Sequence, residues 1–200
     1  MKYYPLVKDN RDNSFAWLSE TLPEELRENS WKLMLGIPVK DWFPENVIFD
    51  LSVNDGIQLT DFIPSVHQIM VVSERLKDIL QATGEDFEFF PVRIRNHKKR
   101  IVEKQYYLAN LIGSLECVDR EKSEFFINHI RKDQIFRFQR LVLDESKIPD
   151  GKSIFRLGEQ TEQIMVNEPL ALKIVKEVKC NGLMFRILES FGAEFRGRED

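Results

Sequence analysis

The histidines of this 200-residue sequence are the first residues to consider for acid–base or metal chemistry, and they are scattered. His67, His97 and His129 lie about thirty residues apart, without the HxxxH or HxH spacing that brings two imidazoles to one metal ion. The sequence also lacks the GxGxxG, GxxxxGKS/T and GxSxG motifs, which mark phosphate-binding loops and activated serines. It therefore predicts no catalytic residue, no cofactor site and no metal site, and a protein that is not an enzyme.

An acidic group in the middle of the chain could in principle bind a divalent cation, which prefers clustered oxygen ligands. Its members are Glu116, Asp119, Glu121 and Glu124, and they lack the glycine-turned spacing of a calcium loop. Asp119 follows the apolar run LIGSLECV, where an aspartate side chain commonly accepts hydrogen bonds from nearby backbone N–H groups. We therefore predict that Asp119 stabilises a turn and that the other three acids face water.

A basic group lies between residues 93 and 104 and is flanked by aromatic residues, a combination that can bind single-stranded nucleic acid. The basic residues are Arg93, Arg95, His97, Lys98, Lys99, Arg100 and Lys104, and the aromatic ones are Phe89, Phe90, Tyr106 and Tyr107. A solvated hairpin tip is the preferred interpretation, because strand aromatics must partly enter the core and the chain has a net charge of -4. A nucleic-acid-associated regulatory protein is the alternative.

The remaining candidates for function are aromatic residues in an acidic part of the chain. Residues 1–64 carry 11 acidic and 6 basic residues, whereas the rest of the chain is close to neutral. An acidic surface can steer a basic partner protein, and exposed aromatic residues often provide the central contacts of an interface. The candidate partner-binding residues are therefore Trp17, Trp31, Trp42 and Phe43.

Composition predicts a protein of the cytoplasm that folds without disulfides or metal. Its hydrophobic content of 42% is enough for a substantial core. Cys117 and Cys180 have no CxxC or Cys/His spacing, so we expect two reduced thiols. The sequence has no run approaching the ~20 apolar residues of a membrane span, and MKYYPLVKDN lacks the apolar run of a secretory signal. Nothing in it indicates an oligomeric state.

The local patterns predict an α+β fold with mixed, largely antiparallel sheets and a few short helices. MKYYPLV is expected to form an edge strand because of Pro5. The Thr21 and Glu24 capping box predicts a helix over residues 22–35, ended by Gly36. Two β-type runs at residues 87–95 and 101–111 predict a hairpin, and residues 123–131 fit a helix or a strand equally well.

Two segments of the sequence echo each other. IMVVSERLKDIL and QIMVNEPLALKIV both place an apolar strand before a helix-capping residue, Ser73 or Asn167, and a short helix, and a further β run follows each. They match at a constant offset in Val72, Glu74 and Leu76 against Val166, Glu168 and Leu170. The echo fits two related strand-helix-strand units sharing one core, or two separate uses of the residues that commonly cap helices.

The order of several segments resembles a family of bacterial immunity proteins from polymorphic toxin systems, immunity family eleven, formerly a domain of unknown function. The resemblance covers roughly residues 40 to 190 and is carried by VVSERLKDIL, FFPVRI, YYLANLIGSLECVDREKSE, RFQRLVLDESKIPDGKSIFRLGE, IMVNEPLALKIV and NGLMFRIL. It implies a small intracellular protein that binds and blocks a cognate toxin domain, with no catalytic residue to assign.

The same resemblance, with the acidic bias, sets the expected domain organisation. Residues 1–40 are predicted to form an acidic, helix-containing segment packed on the main domain, and to match the family less well. Residues 41–195 are predicted to form an α+β domain like that of the family, and residues 196–200 a disordered tail.

Overall fold

The chain folds as an α+β protein in the computed structural model, which describes residues 1–127, 135–188 and 190–194, the last five by their backbone alone. Strands account for 36% of the chain and helices for 17%, as the patterning of the sequence predicts. The elements in chain order are β1 (Tyr3–Lys8), α1 (Glu24–Arg27), α2 (Trp31–Leu35), β2 (Ile48–Asp50), β3 (Phe62–Ile63), β4 (Met70–Ser73), α3 (Glu74–Gln81), β5 (Phe87–Arg95), β6 (Tyr106–Leu111), β7 (Ser114–Leu115), β8 (Glu124–Ile127), β9 (Ile135–Arg140), β10 (Ile154–Leu157), β11 (Gln160–Asn167), α4 (Glu168–Leu172), β12 (Leu183–Ile187) and β13 (Ser190–Glu194).

The elements form two compact units, and the chain passes between them several times. The N-terminal unit comprises Lys8–Ile112 and Cys180–Leu183. The C-terminal unit comprises Met1–Val7, Gly113–Lys179 and Met184–Asp200. A separate segment ending near residue 40 stays a prediction, and the predicted tail of residues 196–200 lies outside the described residues.

The N-terminal unit is built on a five-stranded sheet in the order β2-β5-β6-β4-β3. β5 and β6 form the predicted hairpin. The second strand is expected from Ile101, but β6 begins at Tyr106, and Ile101 makes only an isolated bridge to Arg95. β2 runs parallel to β5, and the other pairings are antiparallel. The core packs around Tyr106, Phe49 and Ile94, each at most 2% exposed.

The C-terminal unit contains a six-stranded sheet in the order β13-β12-β1-β11-β10-β7 and the separate two-stranded sheet β8-β9. Its core includes Phe155, Leu157 and Met165 from the larger sheet and Phe138 from β9. The Tyr3 ring meets Phe155 edge to face at 5.3 Å between centroids, a favourable aromatic geometry. Residues 123–131 are expected to form either a helix or a strand, and the structure shows a strand, β8, as far as Ile127. Residues 128–131 lie outside the described part of the chain.

Two predictions near the N-terminus are wrong. The helix predicted over residues 22–35 is interrupted between α1 and α2. There the backbone N–H groups of Asn29 and Lys32 bond to the carbonyl three residues earlier instead of four, as in a tight turn. Asn29 and Ser30 are residue types that favour turns over helix. Thr21 makes no cap, since α1 begins after Pro23 without a side-chain capping bond. β1 lies between β12 and β11 rather than at an edge. The stabilisation from burying its residues therefore exceeds the cost of the one backbone hydrogen bond that Pro5 cannot donate.

Both predicted helix caps are confirmed. The Oγ of Ser73 accepts a bond of 3.4 Å from the Leu76 N–H at the start of α3. Oδ1 of Asn167 accepts a bond of 2.9 Å from the Leu170 N–H at the start of α4, which continues into a π-helical turn. Each cap satisfies a backbone donor that the first turn of a helix leaves unpaired.

The two echoing segments also share a topology. In the N-terminal unit β6 lies between β4 and β5, the strands before and after α3. In the C-terminal unit β1 lies between β11 and β12, the strands before and after α4. Each segment therefore joins two strands of a sheet across one intervening strand, while a duplication as the origin of the echo stays a prediction.

The close packing of Gly182 gives the first test. A Cβ at this residue would overlap the carbonyl oxygen of Phe62 and lie 2.5 Å from Oγ1 of Thr60, and its φ of +83° already disfavours a side chain. We expect Gly182→Ala to lower the free energy of unfolding by about 3 kcal/mol or more, the sum of strain and overpacking. The control Gly151→Ala, at φ +76° in open space, should cost about 1 kcal/mol. Equal urea midpoints for the two variants would contradict the packing at Gly182.

Candidate partner-binding surfaces

The four aromatic candidates differ in their accessibility. Trp31, at the start of α2, is 49% exposed. Trp42 and Phe43 are partly buried against the core of the N-terminal unit, and the ring of Phe43 stacks on Phe90 at 4.1 Å. Trp17 is also partly buried, with Nζ of Lys8 at 4.8 Å from its ring. Only Trp31 of the four presents a largely free ring.

Trp31 belongs to a small group that we call the tryptophan cluster, made of Trp31, Lys32 and Trp42. The Lys32 ammonium lies 5.8 Å from the Trp31 ring and 5.6 Å from the Trp42 ring, within the range of a cation–π interaction. The acids Glu24 and Glu25 occupy the first turn of α1 nearby in sequence and are exposed. The tryptophan cluster therefore offers one exposed aromatic residue whose neighbouring cation is already engaged.

A second surface, which the sequence analysis did not find, lies on the sheet β8-β9 of the C-terminal unit. Phe125 and Phe138 are opposite each other in the ladder and pack edge to face at 6.2 Å on the core side. Phe126, Ile127 and Phe136 instead remain 52%, 48% and 67% exposed. We call these three residues, with Arg137 opposite Phe126, the apolar hairpin surface.

A pocket of about 570 Å³ adjoins the apolar hairpin surface. Besides Phe136, Arg137 and Phe138 its lining consists of Gln139, Gln160, Gln163 and Arg186, and no acidic residue is among the described residues that line it. Nε2 of Gln160 donates to the carbonyl of Phe136 at 3.1 Å, and Nε2 of Gln163 donates to that of Ile164 at 3.0 Å. These bonds orient both amides, so the pocket combines fixed polar groups, guanidinium groups and an exposed phenyl ring.

The signal that could have revealed this surface is present in the sequence. EFFI and IFRF place apolar residues at adjacent positions, so they cannot all lie on one face of a strand. A strand that is apolar on both faces is either buried on both or exposes one of them. The sequence gives no means of choosing, because the answer depends on what covers the outer face.

The basic loop between β5 and β6 is partly neutralised within its own unit. Arg95 forms two bonds of 2.7 Å to the Asp50 carboxylate, and Lys99 lies 3.8 Å from the same group. Lys104 lies 3.7 Å from Asp61. The flanking Tyr106 is fully buried. Arg93, Lys98 and Arg100 remain exposed, whereas the other flanking rings, Phe89, Phe90 and Tyr107, are partly buried. Binding of single-stranded nucleic acid relies on rings that are open to stacking, and the loop offers none that is largely exposed.

The acidic group of the central region is dispersed. Asp119 accepts bonds from the backbone N–H of Lys122 at 3.2 Å and from its ammonium at 2.6 Å, which confirms the predicted turn. Glu124 pairs with Arg140 at 3.3 Å across the β8-β9 ladder. Within the described ranges, no three His, Cys, Asp or Glu residues come close enough together to hold a metal ion. His129 lies outside those ranges.

The most highly organised polar group of the N-terminal unit is the buried carboxylate of Asp61, just before β3. Its side chain is 4% exposed. Oδ1 accepts a bond of 2.7 Å from Oγ of Ser73 and lies 3.7 Å from the Lys104 ammonium. Oδ2 accepts from the guanidinium of Arg75 and, at 3.3 Å, from the backbone N–H of Asn181. Four groups from three separate segments of the chain therefore surround one carboxylate.

These donors determine the ionisation of Asp61. Burial disfavours its charged form, but the hydrogen bonds from Arg75 and Ser73 and the charge of Lys104 outweigh burial and hold its pKa below the ordinary value of 3.8. The adjoining pocket of about 470 Å³ is lined by Asp61, Glu74, Arg75 and Lys104 among others, so acids and bases balance there. This site stabilises the fold and presents no reactive group.

The comparisons with known proteins point to the same class that the sequence resembles. In the described part of the chain no helix is long and apolar enough to cross a membrane. The model of the immunity protein family Imm11 matches residues 5–190, nearly the whole chain, so this chain belongs to that family. The match begins before residue 40, so the expectation that the N-terminal forty residues fit the family less well is not supported. A search of curated proteins found no match.

The Asp61 site gives the second test. We expect Asp61→Asn to lower the free energy of unfolding at neutral pH by roughly 3 kcal/mol, because it leaves a buried ionic network without its anion. The control Asp50→Asn, which also removes a carboxylate from an arginine, should cost about 1 kcal/mol or less because Asp50 is 32% exposed. Urea unfolding of both variants measures the difference.

The pH dependence of stability follows from the direction of the pKa shift. A carboxyl with a lowered pKa in the folded state adds stability above its unfolded pKa, and this is lost as pH falls through the folded pKa. Wild-type protein should therefore lose more stability than Asp61→Asn between about pH 5 and pH 3. Parallel curves for the two proteins would contradict a depressed pKa at Asp61.

Proposed function

We propose that this chain is an immunity protein that neutralises a cognate bacterial toxin domain by binding it in a fixed ratio. The observation that carries the proposal is the family match over residues 5–190. The match identifies an immunity family, and the mechanism of neutralisation is our inference from the chemistry of the chain. A protein partner also suits a surface that exposes large apolar side chains.

Association rather than catalysis is supported by the state of the nucleophilic and acidic groups. Burial raises the pKa of the Cys117 thiol to about 12 and that of the Cys180 thiol to about 11, so neither is an activated nucleophile at neutral pH. The Asp61 carboxylate is saturated by donors from its own unit. We therefore propose that the protein is not an enzyme, and that its two buried free thiols suit the reducing cytoplasm.

The proposed role sets the strength of the interaction. Even a small fraction of free toxin is harmful, so protection calls for nanomolar or better affinity, which is ~12 kcal/mol or more of binding free energy. Interfaces of that strength depend on a few large side chains that become fully buried on binding. The partner-binding residues are therefore sought among exposed aromatic and arginine side chains.

The third test is protection in cells. Co-expression of this chain with the toxic domain encoded in the neighbouring reading frame should restore growth, and the two proteins should co-purify at a fixed ratio. The control variant carries Ala at Lys98, Lys99 and Arg100, which are exposed, and it should protect as well as wild type. A harmless neighbour, or protection without a complex, would contradict the proposal, and loss of protection in the control variant would favour the nucleic-acid alternative.

A further inference from the structure

We infer that the apolar hairpin surface is where the toxin docks, and that the toxin presents to it an acidic segment carrying at least one large apolar side chain. This inference rests on the proposed function and adds to it the surface and the chemistry of the partner. It concerns Phe126, Ile127, Phe136 and Arg137 of β8 and β9, together with the adjoining pocket.

Among the described residues, Phe126, Ile127 and Phe136 are not members of the core cluster that contains Phe138. The contacts that β8 and β9 make with that core come from Ile135 and Phe138, which are buried in it, and from Phe125, which packs against it. Phe126, Ile127 and Phe136 leave roughly half or more of their surface in water. Phe126 lies opposite Arg137 and Ile127 opposite Ile135, and Phe136 lies between Ile135 and Arg137 on β9. Contiguous exposed apolar side chains on a folded protein commonly mark an interaction site.

The charge of the site indicates which kind of segment would cover it. The pocket beside Phe136 is lined by two arginines, Arg137 and Arg186, and by no described acid. The charged side chains among these lining residues are therefore basic. A guanidinium binds a carboxylate through two parallel hydrogen bonds, and the oriented amides of Gln160 and Gln163 favour a polar backbone beside it.

The tryptophan cluster is the competing surface, and it offers less. It has one largely exposed ring, Trp31, whereas the apolar hairpin surface has three exposed apolar side chains on one two-stranded sheet. Lys32 is already placed over Trp31, and Trp42 is partly buried against the core. Anchors carry most of the affinity when a partner can bury them fully, which favours Phe136 at 67% exposure.

The test measures the affinity of single variants for the purified toxin domain encoded beside this chain. Phe136→Ser should weaken binding by about 30-fold or more, the scale of a central anchor. Arg137→Glu should weaken binding about 10-fold or more, and more than Arg137→Gln, because it places like charges together. The matched controls Ile57→Ser, at a residue 72% exposed, and Arg93→Glu, on β5, should bind within about threefold of wild type.

Folding and binding effects are separated by melting temperatures, which should stay within about 2 °C of wild type for these exposed residues. If wild type forms a complex and Phe136→Ser and Arg137→Glu bind like wild type, the surface is wrong and the proposed function stands. If Arg137→Glu tightens the complex, the partner segment is basic and the proposed chemistry is wrong. If wild type forms no complex, the proposed function itself fails. Salt dependence alone does not identify the surface, because residues 1–64 carry an excess of five acids.

Discussion

The burial of the Asp61 carboxylate is the constraint on which the N-terminal unit depends. Moving an ionised carboxylate out of water costs several kcal/mol unless it is paired and hydrogen-bonded. Here one donor is Ser73 at the start of α3, and another is Lys104 just before β6. A third is the backbone of Asn181, in the segment Cys180–Leu183 where the chain returns to this unit. The backbone of Asp61 adds two bonds, donating to Asn181 and accepting from Ser73. Segments far apart in sequence must therefore meet at this group.

This requirement explains the residues around it. Ser73 caps α3 and donates to Asp61, so one hydroxyl both starts the helix and satisfies the carboxylate. Gly182 allows the returning chain to approach Thr60 and Phe62, which a side chain would prevent. In the same unit Asp50 binds Arg95 and Lys99 of the basic loop. Much of the polar chemistry that stands out in the sequence is thus used to hold the fold together, and recognition is left to exposed surfaces.

The parts of the fold that the sequence predicted correctly have local causes. Ser73 and Asn167 cap helices because their side chains can accept a bond from the first turn, whatever surrounds them. The predictions that failed depended on tertiary context. Residues 22–35 break at a turn despite helical periodicity, and β1 lies inside a sheet although it contains Pro5. Propensity is a weak guide wherever packing decides the outcome.

The candidate site shows the same division. The aromatic content of the N-terminal segment named four candidate partner-binding residues but could not show that Trp31 is exposed while Trp42 and Phe43 pack on the core. Their role in binding a partner stays a prediction. The sequence did not reveal the apolar hairpin surface, because adjacent phenylalanines in a strand can equally well both be buried. Exposure is a property of the assembled fold, since it depends on which residues arrive from elsewhere to cover a side chain.

Hydrogen–deuterium exchange of this chain, alone and with one equivalent of the toxin domain, tests most directly that neutralisation occurs by docking on the apolar hairpin surface. Docking shields backbone amides from water and suppresses local opening, so exchange should slow in Glu124–Ile127 and Ile135–Arg140. The amides of α1 and α2 should exchange as in the free protein. Protection confined to α1 and α2, with no change in β8 and β9, would contradict the account.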